Sequence, residues 1–440
     1  MKVQVKRISR EAVEALSDLQ DEPEWLRNRR VEALAVAEEL PLPETRYTKI
    51  RGFHLEEIVP YANNKQQAAL TELEDLPDEL RAILAGAQGG LLVQIDSEPV
   101  HIQLPTTLAE QGVIFTDMNT AIREHLELVR HHLMVQVART EHKFTALHEA
   151  LFSGGALLYV PQGVEIDEPI YALYLMRTPH IGMFNHTLII AEPGSRVTYL
   201  EETESLSSMD GQSLHTAVAE VYLGAGAEVT FGGIQNWGPQ VYDFVTRKSQ
   251  GDRGSQMRWT LGWLGSKLTF SKVASHLAGP GARAEDLQIF FGGAKQHFDL
   301  TSNLRHEQPH TVGEVTVKGI LKDRARSVFN GLIRIEPGAQ GSNAYQAERA
   351  MILNSGAKSD AIPALEIEAD DVRATHAASA SQMDAEQIFY LKSRGLNDDQ
   401  ARKMIVDGFF EPTIQLVPLP VLRERIRGLI DGKWNARPDR

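Results

Sequence analysis

The stretch EPGSRVTYLEETESLSSMDGQSLHTAVAEVYLGAGAEV, residues 192–229, decides the fold class of this chain. It opens and closes with a glycine turn, and each turn leads into a short run rich in β-branched and aromatic residues. Runs of this composition between glycine turns are typical of β-strands. Because the helical period of apolar residues is absent from Ala156 to about Val372, this region is predicted to be all β.

The glycine turn recurs at a nearly constant interval along the chain. The glycines at the centres of the clearest turns are Gly163, Gly194, Gly226, Gly254 and Gly281. By subtraction they lie 31, 32, 28 and 27 residues apart, and Gly338 follows Gly281 by 57, about two intervals. This period indicates a solenoid, because propeller blades take about 40–45 residues and sandwiches turn roughly every 8–12 residues without a longer period. We therefore predict a mainly β protein built on a right-handed parallel β-helix.

Helical patterns flank the β-rich region on both sides. Residues 1–85 form a predicted N-terminal helical region, and residues 86–372 form the predicted β-helix core, with helical segments at about 117–152. Residues 373–440 form a predicted C-terminal helical domain.

The C-terminal region carries clear helix signals. Asp384 is a predicted helix cap, and Asn397 with Gln400 makes a capping-box pattern that opens a second helix. A third helix is predicted to begin at Pro420, since proline suits the first helical turn. The predicted apolar stripe of the second helix is Ala401, Met404, Ile405 and Phe409.

The composition excludes several classes of protein. The chain has 440 residues, a net charge of −14 and no cysteine. The negative charge argues against nucleic acid as a partner, since phosphate binding needs clustered Lys and Arg. The absence of cysteine excludes a disulfide framework and any self-contained Cys-ligated metal site. We expect a cytoplasmic protein without membrane contact, because no signal-peptide core and no membrane-length apolar run is present.

Motifs for several autonomous enzyme activities are missing from the sequence. There is no G-x-x-x-x-G-K-[ST] phosphate loop and no G-x-S-x-G nucleophile elbow. Without cysteine, a Cys/His nucleophile is excluded as well. A non-catalytic protein is therefore predicted, and an alternative is a β-helix enzyme that acts on acidic polysaccharide in a groove lined by carboxylates.

Three runs of the sequence resemble a known family. They are ADDVRATHAASASQMDAEQIFYLKSRG at 369–395, SGGALLYVPQGVEIDEPI at 153–170 and QHFDLTSNLRHEQPHTVGEVTVKGILKDRARSVFNGLIRI at 296–335. All three resemble the SufB/SufD family of iron–sulfur cluster assembly scaffolds, and the first resembles its SufD branch. The similarity extends from about Phe152 to Phe409.

The resemblance implies a parallel β-helix scaffold subunit with two partners. A SufD-like subunit of the SufBCD complex pairs with SufB and binds the SufC ATPase, so ATP hydrolysis is expected in SufC. A transient iron–sulfur cluster, or its iron, is expected to be shared with SufB and not held permanently by this chain. The region expected to bind SufC includes Phe389, Tyr390, Arg394, Phe409 and Phe410.

The resemblance also singles out one histidine. His376 corresponds to the family histidine that faces a SufB cysteine across the heterodimer interface, and it is therefore the predicted cluster ligand. The family commonly has a cysteine two residues earlier, where this chain has Ala374, so the prediction rests on His376. Glu366 and Asp371 are the candidates to hold the second imidazole nitrogen.

Several alternatives stay open at the level of sequence. His297, His306 and His310 could converge on a metal if neighbouring coils stack, but alternate strand residues face opposite sides and sequence spacing does not decide this. A SufB-like or self-pairing homodimeric scaffold is the main alternative function. An isolated subunit could self-pair because the end of a β-helix exposes unpaired strand edges. Flavin involvement, the route of iron entry and the cluster acceptor do not follow from the sequence.

Overall fold

The computed structural model describes residues 7–61, 81, 88–205, 210–417 and 420–436. The strands in these ranges are, in chain order, β1 (Gly90–Ile95), β2 (Glu98–Gln103), β3 (Ile114–Asp117), β4 (Gly154–Val160), β5 (Ile170–Met176), β6 (Gly182–Ala191), β7 (Arg196–Ser205), β8 (Ser213–Leu223), β9 (Glu228–Asn236), β10 (Val241–Gly251), β11 (Gln256–Trp263), β12 (Leu268–Leu277), β13 (Arg283–Gly292), β14 (His297–His306), β15 (Val312–Leu321), β16 (Arg326–Ile335), β17 (Asn343–Ile352), β18 (Lys358–Ile367) and β19 (Arg373–Gln382).

Helices lie before, within and after the strand region. Those in the described ranges are α1 (Arg10–Gln20), α2 (Glu24–Glu39), α3 (Thr106–Ala109), α4 (Met118–Glu124), α5 (Leu126–His132), α6 (Lys143–Leu151), α7 (Ala385–Ser393), α8 (Asp398–Ile414) and α9 (Pro420–Asn435), with a short 3-10 turn at Leu55–Glu57.

The strands form two sheets that enclose a common core. The odd sheet contains β1, β2 and the odd-numbered strands from β5 to β19, and the even sheet contains β3 and the even-numbered strands from β4 to β18. From β4 onward the chain therefore changes sheet with each strand, and from β6 onward every strand pairs in parallel with the strand two places earlier. Antiparallel pairing occurs only between β1 and β2 and between β3 and β4 among the described strands. The predicted parallel β-helix is confirmed.

Glycine turns stack into a column along the solenoid. The predicted turn glycines have φ angles of +71°, +69°, +69°, +65° and +72°, and they are Gly163, Gly194, Gly226, Gly254 and Gly281. This left-handed conformation is open to glycine at no steric cost. After Gly281 the column continues with His310 at φ +61° and then Gly341 at φ +73°. The prediction that Gly338 continues the column of turn glycines is therefore wrong. The turn after Gly281 has His310 at this position, and the following turn has Gly341.

The solenoid interior is filled by side chains that stack from coil to coil. Tyr199, Phe231 and Trp259 are aligned on neighbouring strands of the odd sheet and are 0% exposed. Their ring centroids lie 5.2 and 5.0 Å apart. Aromatic pairs at this separation add to the stabilisation from burial alone. In the next strand the aligned residue is Asp286, so the aromatic ladder ends at a buried acid.

Asp286 begins a polar section of the interior. Its carboxylate accepts a hydrogen bond from the Gln288 amide at 2.9 Å and a short one from the Ser302 hydroxyl. Gln288 in turn accepts from the Trp263 indole nitrogen at 2.9 Å. Burial raises the pKa of Asp286 to about 6, although the bonds from Ser302 and Gln288 favour the charged form.

Replacing Asp286 with Asn is expected to flatten the pH dependence of stability. The native carboxyl binds its proton up to about pH 6, whereas the unfolded one releases it near 3.8, so native stability falls as pH rises between these values. The difference corresponds to about 3 kcal/mol at full ionisation. Urea unfolding midpoints at pH 4.5 and 7.5 measure this pH dependence of stability. The Asp286→Asn variant should lose less stability than wild type on going to pH 7.5, while Asp167→Asn, at an 87% exposed carboxylate, should follow wild type. Equal losses in all three proteins would contradict the assignment.

Helices cover the outer faces of both sheets. On the even sheet, Phe144 of α6 stacks on Phe244 of β10 with ring centroids 3.5 Å apart. On the odd sheet, α8 and α9 pack through residues such as Phe410, whose ring centroid lies 6.3 Å from that of Phe291. A largely buried ion pair joins Arg425 of α9 to Glu202 of β7 at 2.6 Å. The β-solenoid thus has an apolar layer on each side as well as its own interior.

The C-terminal strands and helices agree only in part with the sequence patterns. Strand β19 carries the β-structure to Gln382, beyond the predicted end near Val372. Asp384 caps α7 and the Asn397–Gln400 capping box opens α8, as predicted. Of the predicted stripe of α8, Ala401 is buried, whereas Met404 is exposed and Ile405 and Phe409 are half-buried. The other buried residues of this helix are Val406, Phe410, Thr413 and Ile414.

Candidate functional site

The solenoid ends in a coil that has no further strand beyond it in the described chain. β18 pairs only with β16 and β19 pairs only with β17, so both sheets end at the same side of the molecule. We call β18 and β19 the open end. Most of their residues are exposed, in contrast to the buried strands of the middle coils. Unpaired backbone groups of this kind are templates for pairing with another chain.

His376 lies in the middle of β19, on the outermost strand of the odd sheet. The sequence patterns had placed it after the last strand, at the start of the helical domain; the structure corrects this. In the parallel register His376 is aligned with Gln346 of β17. Aligned residues of neighbouring parallel strands project to the same face. Gln346 points into the solenoid interior, so the imidazole faces the interior side of the open end.

Two polar side chains of β17 lie one strand below His376. Gln346 is 2% exposed, and its amide occupies the space over Gly331 where any β-carbon would collide with it. Glu348 is 1% exposed and accepts a hydrogen bond from Ser359 of β18 at 3.5 Å. Burial raises the pKa of Glu348 to about 7, and the Ser359 bond only partly offsets this. Sequence reasoning missed both residues, because their inward direction depends on the strand register.

The residues expected to support His376 lie elsewhere. Glu366 is on the outer face of the even sheet, where its carboxylate lies 3.4 Å from the Arg334 guanidinium. Asp371 belongs to the exposed turn before β19, and its backbone N–H donates to the Gln340 side chain at 2.8 Å. The structure therefore brings neither carboxylate to the imidazole, and the aligned neighbour is Gln346.

The three histidines near β14 do not converge. His297 faces outward, and its Nε2 lies 2.8 Å from the hydroxyl of Thr48. His306 is 0% exposed inside the solenoid, with Nδ1 2.8 Å from the Thr311 hydroxyl, while His310 lies in the turn column. No group of three or more His, Cys, Asp or Glu within the described ranges is arranged to bind a metal ion.

The helices after β19 offer an exposed apolar surface. Phe389 and Tyr390 of α7 are 76% and 55% exposed, and Arg394 lies over the Tyr390 ring at 5.1 Å. We call Phe389, Tyr390 and Arg394 the α7 surface. Phe409 is half-buried beneath Lys318, and Phe410 is 1% exposed against the odd sheet. Of the two neighbouring phenylalanines in the predicted region, Phe410 belongs to the core and is not accessible.

Fold and site together define the class of the molecule, a parallel β-solenoid with an open strand end and exposed helices beside it. Residues 174–409 match the SufBD core domain of the SUF system for FeS cluster assembly, and residues 85–172 match the SufBD protein N-terminal region. The chain belongs to the SufBD family of iron–sulfur cluster assembly proteins.

Whole-length relatives agree with this family. The iron–sulfur cluster assembly protein SufD of Bacillus subtilis is 35% identical over 430 residues, covering 97% of this chain and 98% of the relative. SufB of the same organism is 31% identical, covering 94% and 90%. A SufBD family protein of Staphylococcus saprophyticus is 32% identical, covering 92% and 89%. Within the described parts of the chain, no helix has both the length and the apolar character needed to span a lipid bilayer.

Proposed function

We propose that this chain is a non-catalytic, SufD-type scaffold subunit that assembles iron–sulfur clusters together with a SufB-type partner. Strands β18 and β19 pair with the partner, and His376 donates an imidazole nitrogen to the nascent cluster. The partner supplies the thiolates, because this chain has no cysteine. The cluster is cargo that is built and passed on. Soft thiolates are the main ligands of such clusters, and imidazole is an established minority ligand.

The observation that carries this proposal is the position of His376. The imidazole is exposed on the terminal strand and is directed to the interior side of the open end. A structural histidine would be expected to lie buried with a hydrogen-bond partner, as His306 does. An exposed imidazole on an unpaired strand is instead available to a group brought by a second subunit.

A SufC-type ATPase is the proposed second partner, and it binds at the α7 surface. Every residue of α7 is exposed or half-buried, so its aromatic side chains contribute little to the core of this chain. Exposed aromatic residues with an adjacent arginine are typical of interface hot spots. ATP hydrolysis in that partner supplies the energy, and α7 connects directly to β19, so movement of the helix reaches the open end.

The alternative is a SufB-like or self-pairing scaffold, and the experiment must distinguish it from a SufD-type subunit. A SufB role needs thiolates that this chain lacks. The family membership favours a scaffold over the carbohydrate-active alternative.

Co-expression of the tagged chain with SufB and SufC tests the proposal. We expect the three proteins to co-elute in size exclusion and to form a cluster on anaerobic addition of ferrous iron and sulfide. A homodimer of this chain that carries a cluster by itself would contradict the proposal, as would a cluster-forming SufB–SufC complex from which the chain is absent.

A further inference from the structure

Glu348, on β17 next to the open end, is a buried carboxylate with unused bonding capacity. Its side chain is 1% exposed, and Oε2 has no hydrogen-bond partner among the described residues. Oε1 has one long hydrogen bond, from Ser359 at 3.5 Å. Buried carboxylates are normally paired with a cation or bound to a metal, because removing the charge from water is costly. A bound cation would supply the partner that Oε2 of Glu348 lacks.

The strand register brings Glu348 close to His376. Glu348 follows Gln346 by two residues on β17, and Gln346 is aligned with His376 on the adjacent strand. All three side chains consequently project to the same interior face. Diagonal neighbours of this kind have Cα atoms about 7–8 Å apart, which is within reach for long side chains that share one ion.

Small residues of the terminal strand lie next to Glu348. The residue aligned with Glu348 on the terminal strand is Ala378. The other interior-facing residues of β19 that flank His376 are also alanines, at positions 374 and 380. On the opposite sheet the nearest polar residue is Ser359. From Arg373 to Ala380, His376 is thus the only interior-facing residue of this strand that is larger than alanine.

Gln346 provides a second unpartnered oxygen at the same place. It is 2% exposed, and its Oε1 has no hydrogen-bond partner within the described chain. Gly331 on the facing sheet makes room for the amide. Two buried, unpartnered oxygens next to an exposed imidazole form a set of donors for a cation, since nothing positive faces them from β16 or β18 at these positions.

We propose that Glu348 and His376 form a half-site for a ferrous ion at the open end, with Gln346 as a supporting oxygen donor. Imidazole suits first-row metals such as iron, and carboxylate and carbonyl oxygens suit harder divalent ions, so the mixed set fits Fe²⁺. Two principal ligands leave the remaining coordination positions for groups of the partner subunit. The inference rests on the proposed function, because it takes the open end as the assembly site.

Binding of Fe²⁺ to the purified full-length chain, measured by anaerobic equilibrium dialysis, tests the half-site. The variants are Glu348→Gln, which retains the shape and the bond from Ser359, and His376→Ala. The control is Glu366→Gln, which removes a carboxylate from the outer face of the neighbouring strand. Urea midpoints check that each variant is folded. We expect at least about tenfold weaker binding for each of the two site variants, no further loss in the double variant and an unchanged control.

The other outcomes separate the half-site from the proposed function. Weaker binding in His376→Ala with unchanged binding in Glu348→Gln would overturn the half-site and leave the histidine as a ligand. Weaker binding in Glu348→Gln alone would overturn both the half-site and the role of His376. Absence of any loss in either variant, or equal loss in the Glu366→Gln control, would also overturn both.

Discussion

Replacing His376 with alanine is expected to reduce the iron retained by the assembled complex with SufB and SufC at least about tenfold, without changing its elution volume. Loss of even a supporting residue weakens metal sites by about 10–100-fold, and a direct ligand should matter at least as much. The substitution should leave folding intact, because His376 is exposed and flanked by small residues of the terminal strand. Iron analysis and visible absorbance after anaerobic reconstitution measure the effect.

A matched control is available on the same chain. His131 is an exposed helical histidine whose side chain is 70% exposed, on the helical layer beside the even sheet. The His131→Ala complex should retain wild-type iron. If the His376→Ala complex also retains full iron and cluster absorbance, the histidine has no role in the assembly site, and the chain acts only as an architectural partner of SufB.

Replacing Phe389 and Tyr390 together with alanine is expected to weaken binding of the SufC ATPase at least about 100-fold. Central aromatic residues of an interface are each worth about 2 kcal/mol or more, and about 1.4 kcal/mol corresponds to a factor of ten. Thermal stability should change little, since the two side chains are 76% and 55% exposed in the chain alone. Titration of SufC against the immobilised SufB complex of each variant measures the affinity.

Val135→Ala controls for the loss of an exposed apolar side chain. Val135 is 60% exposed and lies between α5 and α6, in the helical layer beside the even sheet. Its replacement should leave SufC affinity unchanged. Wild-type affinity in the Phe389/Tyr390 double variant would show that the ATPase binds at another surface of the chain.

The fold could be predicted from the sequence because a glycine marks the turn in most of its coils. A left-handed turn in each coil favours glycine, so Gly163 to Gly281 mark the coils directly. The next coil was not marked, because His310 adopts φ +61° within the stacked column without being glycine. Neighbouring turns impose that conformation through backbone hydrogen bonds, such as the one from the His310 N–H to Gln340 at 2.9 Å. Contacts of this kind are absent from the local sequence pattern.

The candidate site could be proposed from the sequence only where a family motif contained it. His376 stood out by resemblance, but its neighbours depend on long-range pairing. In the sequence, Glu348 is an ordinary polar residue of a predicted strand. The fold directs its side chain into the solenoid interior, and the register of β17 with β19 makes it a diagonal neighbour of His376. Glu366 looked closer in sequence, yet it faces the opposite side of its sheet. The sequence also did not show which of Phe409 and Phe410 is buried. Phe410 is the buried ring because it packs against Phe291 of the odd sheet.

Pulsed EPR on the reduced cluster, in a complex where only this chain carries ¹⁵N-labelled histidine, tests the central claim most directly. A nitrogen ligand from His376 predicts a hyperfine coupling that changes from the ¹⁴N to the ¹⁵N pattern on labelling and disappears in the His376→Ala complex. A spectrum from a fully loaded complex that is unaffected by the label would contradict the account, since the cluster would then be held without a histidine of this chain.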